Sequence, residues 1–300
     1  MRRAACAQCG LLLSLFTLAT GPTQEAPAQA GNALLRIGMP QTFFHDVPDA
    51  IVGFATEPFS AVMRDTTGLS GKLVPGGDPL TVADQLSKNK IQLGVFHGFE
   101  FAWVQQKHPE LKPLMLAVNT EHEVAAYVLV LKSRPMDTFA DLKGKDFAVP
   151  KRTREHCRLF IERHCQGDGA CEPKAFFSRI VASQNVETAL DDLCQQRVDA
   201  VVVDAIGVAF YKDLKPGCFA KFRVLARSEA FVPPVIAYLP SSIDEATLGK
   251  VRDGLLKAHK TPMGGEMMKM WKITSFEPVP SNFSKSLADS IRAYPAPEAK

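Results

Sequence analysis

The chain has 300 residues, 46% of them hydrophobic and 22% charged, a composition that fits one large or two ordinary globular domains. Its formal charge of +3 is too small to argue for a nucleic-acid partner.

Arg2 and Arg3 precede a nine-residue apolar stretch, Leu11–Ala19, and a Pro/Gln/Ala-rich segment ends in Ala28-Gln29-Ala30. The apolar run is too short to span a bilayer, so residues 1–30 read as a secretory signal peptide cleaved near Ala30. No later stretch is long and apolar enough to cross a membrane, and the mature protein is expected to be exported and soluble. Removing residues 1–30 takes away two Arg and one Glu, which leaves 33 basic against 31 acidic residues. Five cysteines then remain, an odd number, in a compartment that permits disulfides. Cys165 and Cys171 flank the flexible Gln-Gly-Asp-Gly-Ala segment and are the expected pair.

Leu34–Met39 is a predicted strand halted by Pro40, and Val47–Thr66 has apolar residues at helical spacing. A strand begins at Leu73-Val74, a loop follows over Pro75–Pro79, and a helix over 80–89 leads into strand 91–96. Helix 99–108, strands 114–118 and 125–131, and a turn over Asp141–Lys145 come next. Strand 146–149, a long helix over 153–165 and a short strand around Ile180 follow. Next come a helix–strand unit ending at Asp204, helix 205–213 and strands 222–226 and 233–238. Helices over 243–259 and 263–271 lead to a Pro-rich tail from Glu277, expected to end in disorder. Strands alternating with helices throughout define an α/β protein.

Two segments align without a gap, 107 residues apart: Asp84–His97 (DQLSKNKIQLGVFH) and Asp191–Asp204 (DDLCQQRVDAVVVD). Each is a polar helix end with an apolar anchor (Leu86, Leu193), a basic residue (Lys90, Arg197), and an apolar run. Such runs read as buried strands, and open α/β sheets bind ligands at strand carboxyl ends. His97 and Asp204 stand at those ends. Two similar lobes facing one ligand are expected, each a mostly parallel sheet flanked by helices. Strands 125–131 and 234–239 bracket the second unit, so lobe 1 is residues 31–125 plus 235–300 and lobe 2 is 126–234. Two crossings make a two-segment hinge, a topology suited to closure.

The successive motifs LRIGMP, IQLGVFHGFEF, AAYVLVLKS, FADLKGKDFAVP, VDAVVVD and RVLARSEAFVPP resemble the periplasmic substrate-binding proteins of phosphate/phosphite/phosphonate ABC transporters, the PhnD-like group. The likeness covers roughly residues 34–275 and is most specific in Asp141-Leu-Lys-Gly-Lys145, with Ser133 ahead of it. It implies a type II periplasmic binding fold, a small anionic or zwitterionic ligand, and an ABC permease in the inner membrane as partner. A monomer is expected. The family's Ser/Thr-rich ligand run is replaced here by Val149–His156 (VPKRTREH), which keeps Thr153. The family's Gly-Ser-His step appears as Ala182-Ser183-Gln184.

Candidate ligand contacts follow. Lys151, Arg152, Thr153 and Arg154 stand at a helix start, where free amides and guanidinium groups would hold an anion. A solvated basic turn capped by Thr153 is the plainer alternative. His97, Glu100 and Phe101 follow the first strand of the matched pair. His97 suits an anion or a packed polar site, and Glu100 would receive an amino group. Asp204 is an acidic contact or a helix cap, and the two roles are compatible. Gln41, Thr42, Ser183 and Gln184 complete the set. No cofactor or metal is expected: Glu155-His156-Cys157 and His164-Cys165 stand about 12 Å apart along a helix, too far to share one ion. HExxH and GxSxG motifs are absent from the sequence, and its one CxxC, Cys6–Cys9, falls within the expected signal peptide, so a binding protein is expected rather than an enzyme, with a receptor-docking sensor or a secreted enzyme on the same fold as the alternatives.

Overall fold

The computed structural model describes residues 34–45, 59–119, 124–167 and 172–297, all within the unit Ala33–Lys300. The signal peptide, the first part of the helix expected from Val47, and Cys171 with its expected pairing to Cys165 lie outside the described residues.

The chain builds β1 (Leu35–Met39), α1 (59–67), β2 (Gly71–Pro75), α2 (Pro79–Ser87), β3 (Leu93–Phe96), α3 (Gly98–Lys107) and β4 (Lys112–Val118). It then crosses over to form β5 (Ala126–Leu131), β6 (Asp146–Ala148), α4 (Glu155–Gly167), α5 (Pro173–Phe176) and β7 (Arg179–Val181). α6 (Val186–Cys194), β8 (Ala200–Asp204), α7 (Ala205–Leu214), α8 (Pro216–Phe219) and β9 (Phe222–Arg227) complete this part. After the return come β10 (Val235–Tyr238), α9 (Glu245–Lys257), α10 (Pro262–Trp271), β11 (Ser275–Pro278) and α11 (Phe283–Ala293). No helix among the described residues is long and apolar enough to cross a membrane.

Two sheets result, ordered β11-β4-β10-β3-β1-β2 and β7-β6-β8-β5-β9. In each, one half is parallel (β3-β1-β2; β7-β6-β8), while the strand that crosses between lobes, β10 or β5, joins antiparallel. The sheets are therefore mixed, where mostly parallel ones were expected. The period-two pattern explains the layers: in β8, Ala200 and Val202 enter one core while Val201 and Val203 enter the core on the other face. Burial on both faces is why these strands read as unbroken apolar runs.

The internal repeat is more extensive than fourteen residues. α2 and α6 are both nine residues long and begin 107 positions apart, with Asp78 and Asn185 each accepting amide hydrogen bonds as the cap. Both end in the same turn. Lys88 and Gln195 adopt φ/ψ of −90/9 and −91/8, and Asn89 and Gln196 enter the left-handed region at φ 52 and 60. α3 and α7, ten residues each, keep the offset, and so do their terminal residues His108 and Lys215 at ψ 64.

The tail carries a helix that was not expected, while its end, residues 298–300, where disorder was expected, lies outside the described residues. Pro278 ends β11, but beyond Pro280 the chain turns helical, and Phe283, Leu287, Ser290 and Tyr294 are buried along one face. Their spacing of four, three and four is that of an amphipathic helix. α11 packs on α3, and its end covers the row Phe99–Trp103: Tyr294 and Ala293 join the cluster of Phe99 and Phe231, and Trp103 Nε1 donates to the Tyr294 carbonyl at 2.8 Å. The equivalent row on α7, displaced by 107, is left open, with Phe210 52% and Leu214 48% exposed.

Candidate functional site

β3 ends at Phe96 and β8 at Asp204, and each is followed at once by a helix start. The 107-residue offset makes His97, Gly98 and Phe99 the counterparts of Asp204, Ala205 and Ile206. All six line a single cavity between the lobes, with about 30 Å³ of free space. The repeat thus directs two helix N-termini, the positive ends of their dipoles, at one point from opposite sides. Crossing segments complete the wall: Asn119 and Ala125 from the first, Phe231 and Val232 from the second. These segments pair with each other, as the Phe231 amide donates to the Val124 carbonyl at 2.7 Å.

Lobe 2 adds Arg154 and His156 at the start of α4, and the end of α10 adds Lys272. Arg154 Nε lies 2.9 Å from Asp204 Oδ2, yet Nε has no acceptor in line, so the contact is an ion pair without a directed hydrogen bond. Arg154 Nη2 reaches across the cleft to the Lys272 carbonyl at 3.4 Å. Asp204 uses Oδ1 to accept the Gly207 amide at 2.7 Å, which caps α7. The acidic end of the repeat is thereby both a cap and a cavity wall.

The two histidines are held neutral. The His97 ring stacks on Phe43 with centroids 3.9 Å apart and lies parallel to Phe99 at 5.5 Å. Burial, aided by His156 and Arg154, depresses its pKa to about 3 despite a hydrogen bond to the Thr42 backbone. Burial likewise lowers His156 to about 4, against the pull of Asp204 and a hydrogen bond to the Ala125 backbone. Nε2 of each ring is buried and has no partner among the described residues, and the same holds for Asn119 Oδ1.

Glu100 sits behind His97. Its Oε1 accepts from Thr42 Oγ1 at 2.7 Å and its Oε2 from the His97 amide at 3.1 Å, an arrangement that fixes the start of α3. It does not line the cavity, so it positions His97 where a ligand amino-group contact was expected. Burial raises its pKa to about 8, with Glu155 adding to the rise. A carboxyl raised from 4.5 to about 8 folds without penalty below 4.5 and loses stability as pH climbs toward 8. At pH 7 the cost is roughly 3 kcal/mol. The depressed histidines act the other way: their contribution is present above 6.5 and lost as pH falls toward about 3 and 4. Glu100→Gln, an isostere of the acid form, is therefore expected to stabilise the protein at pH 8 far more than at pH 5, and to steepen its acid lability. Urea titrations at the two pH values check this; an equal gain at both would mean that the carboxyl is ionised in the fold.

The remaining expected contacts are placed elsewhere. Phe101 is fully buried in the core beside Phe96 and Phe283, on the opposite side of α3 from Phe99. Thr42 supports Glu100 and His97 from behind, and Gln41 is exposed, its amide bonded to the Gly77 carbonyl at 3.0 Å. Arg152 is exposed at φ 58, and Thr153 Oγ1 turns back to the Pro150 carbonyl at 2.6 Å. Ser183 is buried and lies 3.5 Å from Asp192 Oδ2, while Gln184 meets Lys151 Nζ at 3.3 Å. Of the basic run, Arg154 alone lines the cavity; His97 and Asp204 join it there. His156, Asn119 and Lys272 also line the cavity and were not among the expected residues. His156 had a usable signal, a polar residue two positions past an arginine at a helix start.

Two mixed sheets, paired crossing segments and a cavity at opposed helix starts define a two-lobed solute-binding protein. The chain belongs to the ABC transporter, phosphonate, periplasmic substrate-binding protein family, whose sequence profile matches residues 48–282. A search of curated proteins found no significant match. Among solved structures, XAC2383 from Xanthomonas citri bound to ATP aligns with a TM-score of 0.60 at 13% identity, over 87% of this chain and 96% of that one. PhnD1 from Prochlorococcus marinus in complex with methylphosphonate gives 0.56 at 14%, over 86% and 97%. The binding protein component of an ABC phosphonate transporter from Pseudomonas aeruginosa gives 0.54 at 13%, over 87% of each. At these identities the likeness is one of fold.

Proposed function

We propose that this protein captures a small oxyanion of the phosphonate or phosphate class between its lobes and delivers it to an inner-membrane ABC permease. The supporting observation is the convergence of two helix N-termini and Arg154 on one small cavity, where His97 Nε2, His156 Nε2 and Asn119 Oδ1 lack partners among the described residues. Helix amides and a guanidinium group are the donor set that tetrahedral oxyanions require. The free space of about 30 Å³ is the room of two or three water molecules, which favours a compact ligand over a nucleotide.

Closure follows from the same layout. Arg154 touches the Lys272 carbonyl, His45 Nδ1 lies 3.4 Å from Glu155 Oε2, and the Arg163 guanidinium covers the Tyr294 ring at 4.9 Å. Each contact joins α4 of lobe 2 to lobe 1. A ligand that bridges the lobes would add to these contacts and shift the population toward the closed form. Thermal-shift measurements with methylphosphonate, phosphate, phosphite, methanesulfonate and ATP test the reading. A compact phosphorus oxyanion should raise Tm in proportion to the logarithm of its concentration. Stabilisation by ATP alone, or by none of the five, would sink it.

A further inference from the structure

The donors of this cavity are ordinary for an anion site; its unused acceptors are not. His97 comes from lobe 1 and His156 from lobe 2, and each ring donates its one hydrogen to a main-chain carbonyl, of Thr42 and Ala125 respectively. A neutral imidazole so engaged has only a lone pair left on its other nitrogen. In both rings that nitrogen is Nε2, buried and without a partner among the described residues, and both rings line the cavity. His156 is only 4% exposed, so water cannot readily serve it. Asn119 Oδ1 is a third buried acceptor on the same wall. A fully deprotonated oxyanion has no hydrogen to offer them, and its oxygens would meet these lone pairs head-on.

We propose that the cleft selects its ligand in a monoprotonated form, a phosphonate-type oxyanion keeping one O–H that His97 or His156 accepts. The inference rests on the oxyanion reading above and deepens it. The deprotonated oxygens would take Arg154 and the helix-start amides, and the hydroxyl would take an imidazole Nε2. The complex then holds one proton at the ligand–imidazole contact, and no group has to ionise on binding.

The charged surroundings agree with a singly charged ligand. Arg154 and Asp204 already neutralise each other at 2.9 Å, and Lys272 lines the opposite wall. Glu100 stands behind His97 on α3, and Glu155 flanks His156 on α4, engaged by His45 at 3.4 Å and Arg158 at 3.9 Å. Cys157, next to His156, is buried and its pKa is raised well above the usual thiol range by that burial, so it contributes no charge. A second negative charge would have to be met by a histidine whose protonation the buried site opposes.

Calorimetric titration with methylphosphonate from pH 6 to pH 9 decides the matter, run in two buffers of different ionisation heat. Affinity should be flat below the ligand's second ionisation and fall about tenfold per pH unit above it, with proton uptake approaching one per ligand. Methanesulfonate, of similar shape and single charge but without the proton, should bind at least tenfold more weakly. Glu100 titrates in the same range, so the slope must also survive in Glu100→Gln. His97→Gln with His156→Gln supplies amide donors in place of lone pairs and should flatten the profile. Constant affinity across the range, no proton uptake, or methanesulfonate binding as tightly as methylphosphonate would overturn the inference while leaving the oxyanion reading intact. Failure of every oxyanion at every pH would overturn both.

Discussion

Arg154→Ala is expected to weaken methylphosphonate binding by at least about 100-fold, the largest binding effect of any single change in the cleft. Charge-assisted hydrogen bonds are the strong ones in a site of this kind, and Arg154 is the guanidinium on the cavity wall. Its removal also leaves Asp204, whose side chain is 13% exposed, without its cation. The cavity would change from a neutral pair to a net negative wall, so an anion would lose an attraction and gain a repulsion. Breaking a largely buried pair by removing one partner costs about 3–5 kcal/mol at the upper end, so Tm should fall as well. The double change Arg154→Ala with Asp204→Asn separates the two effects. Asn keeps an oxygen for the Gly207 amide and the α7 cap, and it removes the stranded charge. Stability should return while binding stays weak. Calorimetry and thermal melts on the two variants check this; wild-type affinity in Arg154→Ala would remove the guanidinium from the mechanism.

The same residues show what a sequence can and cannot reveal. The repeat was legible because its parts are local: a cap, a helix of fixed length, a left-handed turn and a buried strand are each set by neighbouring residues. His97 and Asp204 followed, since strand ends are positions along the chain. Facing direction is less visible. The segment Gly98-Phe-Glu-Phe101 offers two phenylalanines two positions apart, about 200° around the helix. Phe99 reaches the cavity and Phe101 the core, and only packing against the sheet chooses between them. His156 was hidden because its lining role depends on hinge residues thirty to eighty positions away, namely Ala125 and Phe231. The helix α11 was missed because Pro278 and Pro280 draw attention away from it, while the i, i+4 spacing of Phe283 and Leu287 signals it. Strand direction was missed for a different reason. β5 and β10 each leave one lobe and enter the other, and antiparallel pairing is fixed by that crossing rather than by any residue pattern.

Gly98→Ala is the second large effect expected, and it tests where the repeat stops being symmetric. A Cβ at Gly98 would stand 2.1 Å from the Val232 carbonyl oxygen and 2.5 Å from the Val232 Cβ. The obstacle is mostly backbone of the second crossing segment, so no side-chain rotation relieves it. The counterpart in lobe 2, Ala205, carries a Cβ at the same step of the repeat. There the helix start meets the first crossing segment, with its amide 3.2 Å from the Ala125 carbonyl. Helix propensity alone would reward alanine by about 1 kcal/mol, and backbone overlap of this degree reverses the sign. A net loss of about 3 kcal/mol or more is expected if the lobes stay closed. The overlap has one other outlet, separation of the crossing segment from α3 as the cleft opens. A variant that takes it would keep its stability and instead bind the oxyanion more weakly, because binding energy would be spent on closing against the methyl group. Urea unfolding and ligand titration on the same sample distinguish the two outcomes. Unchanged stability together with unchanged affinity would show that α3 and the hinge are not in the close contact that builds this cavity.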